Sequence, residues 1–267
     1  VLPAQVIDEV HKHVQQSFPF TQGSTLASKA RAFDDLGTRL WNASIGLLRH
    51  DAPHDTEVHV ARRTQHPALV RLFALQLIET SSRLERRSEA YRCARVLKAA
   101  LKTAQLCLDR DCADFALKAL ELCSERVEDI LQKEPLVQIC PENKDSSGQR
   151  QIRIELVVHY FLLRAFHAFK TDRLDLADHF YLKFESHHQQ CSLRSREKAA
   201  DLFYEIARSL AASARPESAF AWFERALEAL ASFMPETTSV EVAELSISVM
   251  ISYGLTVLLM VTVVSIS

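Results

Sequence analysis

Seven residues near the C-terminal end place the tightest limit on what this chain can become. Phe203, Ile206, Ala207, Leu210, Ala219, Phe223 and Ala226 follow one another at intervals of 3, 1, 3, 9, 4 and 3 residues. Steps of three and four hold side chains on one face of a helix. The step of nine carries the chain around a turn, and Pro216 suits the first turn of the second helix, where its missing N–H costs nothing. The spacing therefore predicts an antiparallel hairpin over 194–213 and 216–233, with large residues filling the seam and alanines letting the backbones approach. The code recurs upstream. Phe161, Arg164, Ala165, Ala168, Ala177, Tyr181 and Phe184 repeat it, with the arginine and the last phenylalanine as departures. Ala100, Thr103, Ala104, Cys107, Ala116, Leu120 and Cys123 keep its small residues but lose bulk.

These are the offsets of the 34-residue tetratricopeptide (TPR) repeat. The equivalent alanines Ala116, Ala177 and Ala219 lie 61 and 42 residues apart rather than 34, so the repeats are degenerate. The expected fold is all-α, a superhelical solenoid of TPR-like helical hairpins. Helical periodicity also covers 68–78, 88–108, 115–131, 151–170, 173–188 and a segment starting near Ser239. Further upstream, Val6, Ile7, Val10 and Val14 share a face, and Ser24 can cap a helix carrying Ala30, Phe33, Leu36, Leu40 and Trp41. A polar stretch from His50 to His66 reads as a loop. Asp111 and Asp172 read as N-caps, with Asp114 and Asp175 beside them at the positive helix ends. The strongest interruption lies between Glu134 and Gln149, where two prolines, a glycine and polar residues cluster. Three parts are expected: an N-terminal helix over 1–23, a repeat domain over 24–245 and an uncharged apolar tail over 246–267.

Composition narrows the chemistry. The chain of 267 residues has only 5 glycines, scattered at Gly23, Gly37, Gly46, Gly148 and Gly254, so glycine-dependent phosphate loops and dinucleotide turns are excluded. Gly37 takes a small position four residues before Trp41. Neither GxSxG nor HExxH occurs, and the carboxylate pairs sit at helix starts, which points to no enzyme and no cofactor. His187, His188 and Cys191 lack a second ligand cluster, so no metal site is expected. The six cysteines, Cys93, Cys107, Cys112, Cys123, Cys140 and Cys191, read as reduced core-filling thiols of an intracellular protein. Trp41 and Trp222 read as core rings. A net charge of −2 argues against direct nucleic-acid binding. A local basic run from Arg83 to Lys102 can place Arg87, Arg95, Lys98 and Lys102 on one face, a candidate surface for an acidic partner, with Glu121, Glu125, Glu128 and Asp129 offering a compensating side.

The C-terminal end differs from everything before it. From Leu245 to Ser267 the chain has no charge, long enough for a membrane span by length alone. Seven serines and threonines dilute that run and no Lys or Arg follows Arg225, so the expectation is a buried terminal helix running into an atypical tail. Val261–Ile266 is the one strand-like patch.

The stretch from Ala94 to Leu131, together with Val157 to Ser186 and Leu202 to Leu230, resembles the meiosis-specific TPR-like Spo/Zip family of crossover-promoting proteins. FDDLGTRLWNASIGL, from Phe33 to Leu47, is similar to that family's LGxxLWN-type segment. The similarity runs over residues 24–245. It implies a non-enzymatic scaffold on meiotic chromosomes in the nucleus, acting in synaptonemal complex initiation and crossover formation with other crossover-promoting proteins and without a small-molecule substrate. It also implies a longer parent protein, of which this chain is a portion. The other reading from the residues is a general TPR adaptor or co-chaperone, tethered to a membrane by the tail.

Overall fold

A computed structural model describes residues 29–49, 57–84, 89–137, 146–187, 190–231 and 239–266. Every regular element among them is an α-helix: α1 (Ala30–Arg49), α2 (Glu57–Leu84), α3 (Glu89–Asp109), α4 (Ala113–Val137), α5 (Ser146–Lys170), α6 (Leu174–Glu185), α7 (Leu193–Ala212), α8 (Pro216–Ala231) and α9 (Val240–Ile266). The chain divides into two compact units, Val1–Ser146 and Ser147–Ser267. The expected N-terminal helix with its Val6 face, and the Ser24 cap, lie outside the described residues.

In the first unit α1 lies along α2, and α3 pairs with α4 while both touch α2. Gly37 explains how close α1 comes. A Cβ built on it would lie 2.8 Å from Cγ1 of Ile78 and 2.9 Å from the carbonyl oxygen of Ala74, so only glycine lets the helices meet there. The expected loop between His50 and His66 is corrected by α2, which begins at Glu57 and carries Pro67 inside it. Proline removes one helical hydrogen bond. The residues after it, Ala68, Leu69, Val70, Leu72, Ala74, Leu75, Leu77 and Ile78, are all core, and that burial holds the helix in place.

Three hairpins, α3–α4, α5–α6 and α7–α8, turn in one way. Asp111, Asp172 and Ala214 adopt left-handed backbone angles, φ 53°, 57° and 55°. In each turn the next residue's N–H donates to a carbonyl five residues back: Cys112 to Cys107, Arg173 to Ala168, Arg215 to Leu210, at 2.8, 2.8 and 3.0 Å. The left-handed residue donates to the carbonyl three back, at Leu108, Phe169 and Ala211. This is the helix-terminating turn usually given to glycine. Asp111 and Asp172 are therefore not N-caps, as the sequence pattern suggested; they close the preceding helix, and Arg173, without a side-chain capping bond, stands at the N-cap of α6. Aspartate fits because its short polar side chain tolerates left-handed angles better than most.

In the second unit α7, α8 and α9 pack on one another, and α6 joins them through aromatic rings. The strand-like patch Val261–Ile266 is helical, the last turns of α9, because the β-branched residues continue an element already nucleated upstream. Among the described side chains of that helix, 240–260, only Val242, Val249 and Thr256, seven residues apart, are buried. Its other side shows Ile247, Met250, Ile251, Leu255, Leu258 and Leu259 to the surroundings. The expected buried terminal helix is thus buried along one seam alone, since α7 and α8 cover a single face.

Candidate interaction surfaces

The seven residues of the last code, Phe203, Ile206, Ala207, Leu210, Ala219, Phe223 and Ala226, are all buried in the seam of α7 and α8. Phe203 is the hub. Its ring lies 5.5 Å from Trp222, 5.5 Å from Tyr181 and 5.4 Å from Phe184, with the last two edge-on. Edge-to-face contacts of this kind add stability beyond area burial, and they lock α6 to the next hairpin. Above them the Arg225 guanidinium stacks 4.1 Å over Tyr181 and 4.3 Å over Trp222, and its charge is answered by Asp178 at 2.6 Å. The Tyr181 hydroxyl, desolvated among these groups, is pushed up to about 12.

One hairpin earlier the same register is occupied differently. Arg164 takes the place that is Thr103 in α3 and Ile206 in α7, both fully buried. Its guanidinium lies 4.7 Å over the ring of Phe180. Lys183 places its ammonium 6.0 Å from the same ring and 5.7 Å from Phe161, and His187 stacks on Phe161 at 6.4 Å. His159, on the same helix as Arg164, is held neutral: burial first, and then Lys198, push it down to about 4.

The basic face of α3 is only partly a free surface. Arg95 holds both oxygens of Asp34 at 2.9 and 3.1 Å and donates to Oγ1 of Thr38 at 3.0 Å, tying α3 to α1. Lys98 and Lys102 are exposed on that helix, and Arg87 lies outside the described residues. Two charged groups missed in the sequence lie deeper. Glu79, almost fully buried, receives Arg83 at 2.7 Å and Arg126 at 3.0 Å, joining α2 to α4. Arg71, buried on α2, donates from Nε to Oγ of Ser44 at 3.0 Å and stacks 4.8 Å from Trp41. Trp41 is therefore half-buried over a cation, not a core ring; Trp222 is in the core. The Glu79–Arg83 spacing of four residues was the available signal for the first pair, while Arg71 needed knowledge of α1.

Among the described residues no group of three or more His, Cys, Asp or Glu side chains is arranged to hold a metal. His188, one of the candidate ligands, lies outside them. Cys107, Cys112, Cys123 and Cys191 are buried thiols outside any disulfide, and burial raises Cys191 to about 11 and Cys107 higher still. Such thiols are poor nucleophiles and poor metal ligands. From Val240 to Met260, α9 is long and apolar enough to cross a membrane. It is also held to its own unit: Ser252 and Tyr204 share a hydrogen bond of 3.1 Å, and Tyr253 lies 4.7 Å from Phe220.

Paired helices, buried small/large seams and surfaces of cations set against rings define an all-helical protein of hairpin construction. Residues 167–263, from the end of α5 through most of α9, match the family described as Meiosis protein SPO22/ZIP4 like. The resemblance read at Val157–Ser186 and Leu202–Leu230 falls largely on that stretch, and the match supports it there. No curated protein and no solved structure matches the chain.

Proposed function

We propose that the protein is a non-enzymatic scaffold of meiotic prophase, a TPR-like solenoid over residues 24–245 whose grooves hold segments of other crossover-promoting proteins on chromosomes in the nucleus. The observation that carries this reading is the recurrence of one hairpin. Three left-handed turns are each followed five residues later by a fully buried alanine, Ala116, Ala177 and Ala219. Hairpins stacked in series present extended concave surfaces suited to peptide segments, and the family match supplies the meiotic setting. In this reading α9 is the first helix of a further hairpin, and promotion of synapsis and crossover formation follows from bringing partners together. Pull-down from meiotic cells is the test. Enrichment of crossover-promoting proteins over an unrelated TPR protein is expected, and equal recovery removes the proposal.

A second reading has its own observation, the exposed apolar side of α9. There the protein is a TPR adaptor or co-chaperone tethered by residues 246–267. Its expected signature is membrane sedimentation that disappears when residues 245–267 are removed. Recovery of the full chain in the soluble fraction eliminates it.

A further inference from the structure

We propose that Arg164, Lys183 and Phe180, on the α5–α6 hairpin, form a docking site for an acidic segment of a partner protein. Carboxylates sit on the two cations and a neighbouring apolar side chain lies against the Phe180 ring. The proposal rests on the scaffold reading and names the chemistry of one partner.

The argument is an internal comparison. Moving 42 residues along the chain carries Phe180 to Trp222 and Lys183 to Arg225. Both hairpins thus set a cation beside an aromatic ring at the same place in the code. In α7–α8 that cation is neutralised by Asp178 at 2.6 Å. In α5–α6 there are two cations, Arg164 and Lys183, within 4.7 and 6.0 Å of a single ring. Lys170–Glu205, Arg173–Asp175, Arg215–Asp172 and Arg225–Asp178 are ion pairs of this unit, whereas among the described residues neither Arg164 nor Lys183 has a carboxylate partner within 4.0 Å.

Arg164 is not an ordinary solvated surface residue. It takes a position that is fully buried in the other two hairpins, and its Nε is buried without an acceptor. Leaving a buried donor unpaired is costly. A planar guanidinium already held against a ring loses little freedom when it binds a carboxylate with two parallel bonds. Lys183 is exposed beside it, while Phe180 and His187 are half-buried, so the cluster is open at the surface. Two cations set over one half-buried ring, with Phe161 in the core beneath, suit a short acidic segment carrying one apolar side chain. A nucleic acid gains its affinity from many phosphate contacts along a basic stripe, and this site has only two fixed cations.

The test is selection of a phage-displayed random dodecapeptide library on the whole 267-residue chain. Comparison chains carry Arg164→Ile, Lys183→Gln or both. Isoleucine is what α7 uses at the equivalent position, so the variant keeps the packing, and circular dichroism and melting temperature check the fold. Peptides rich in Asp and Glu with an adjacent apolar residue are expected to be enriched on the parent chain. A synthetic peptide of the enriched sequence should bind about tenfold more weakly to each single variant, undetectably to the double variant, and not at all once its acids are changed to Asn and Gln. Enrichment without acidic bias overturns the proposal. So does acidic-peptide binding that the double variant retains, which places the site elsewhere and leaves the scaffold reading intact. Displacement of the peptide by oligo(dT) with the same dependence on Arg164 and Lys183 overturns it in favour of a phosphate site. Failure of the scaffold reading itself is read separately, from the meiotic pull-down.

Discussion

The hairpins α3–α4 and α7–α8 share a turn and a register but are filled in opposite ways. Where α7–α8 has Phe203, Trp222 and Phe223, α3–α4 has Ala100, Ala119 and Leu120. What stays constant is Ala104 with Ala116 in one and Ala207 with Ala219 in the other, all fully buried. The difference teaches that the alanine pair and the left-handed turn set how closely two helices approach. Volume at the other positions is adjusted to whatever lies above: rings from α6 in one hairpin, the apolar side of α2 in the other.

The comparison can be broken most decisively by truncating the large residues. Phe203→Ala or Trp222→Ala should cost about 3–5 kcal/mol in denaturant unfolding. Cys107→Ala, at the seam of the small-residue hairpin, should cost about 1 kcal/mol, near the value of one buried methylene. Equal losses at Phe203 and Cys107 would remove the distinction between the two cores.

A second test uses pH. His159 is depressed from the ordinary imidazole value to about 4 in the folded chain, so the unfolded chain binds the proton first as pH falls. Stability is then full above the unfolded value near 6.5 and declines as pH drops toward 4, by up to about 3 kcal/mol in total. Melting curves of the parent and of His159→Phe between pH 7 and 4 should diverge, with the variant losing less.

Overpacking probes what the hairpins have in common. Ala104→Leu and Ala207→Leu should each cost about 1–3 kcal/mol, and similar losses are expected despite the different cores around them. If one hairpin accepts leucine freely, the alanine pair does not set helix approach there. The smallest effect is a gain. Ala214→Gly should stabilise by about 1 kcal/mol because alanine is strained at φ 55°. Asp111→Gly should gain less, since aspartate tolerates that conformation, and a thermal shift measurement separates the two.

The fold was legible in the sequence wherever the information was local. The code residues, the phase of the hairpins and the small position at Gly37 depend on spacing along one helix or on the smallest available residue. What was not legible depends on partners distant in sequence. Asp111 and Asp172 look like N-caps from composition, and only the backbone angle reveals that they terminate the helix before them. Arg71 lies inside the helical segment expected over 68–78 and Glu79 just past its end, and Ser44 and Arg126, 27 and 47 residues away, make their burial tolerable. Helix formation before Pro67 could not be seen in a polar stretch whose neighbours on α1 were unknown. Of the candidate surfaces, Arg164 stands out in the sequence as a departure from the code. That anomaly pointed to the cation–ring cluster, whereas the basic run on α3 gave no hint that Arg95 is engaged with Asp34.

The three left-handed turns have a kinetic consequence. Each is sealed by bonds between residues three and five apart, and each code joins positions within one short hairpin. Chains dominated by such short-range contacts search little conformational space before productive encounters, so they fold fast for their size. Individual hairpins should form on the microsecond scale of local helical events, and the slower step is the docking of α6 rings onto Phe203. Amides at Cys112, Arg173 and Arg215 are therefore expected to gain exchange protection early in refolding, before the ring cluster of the second unit becomes rigid.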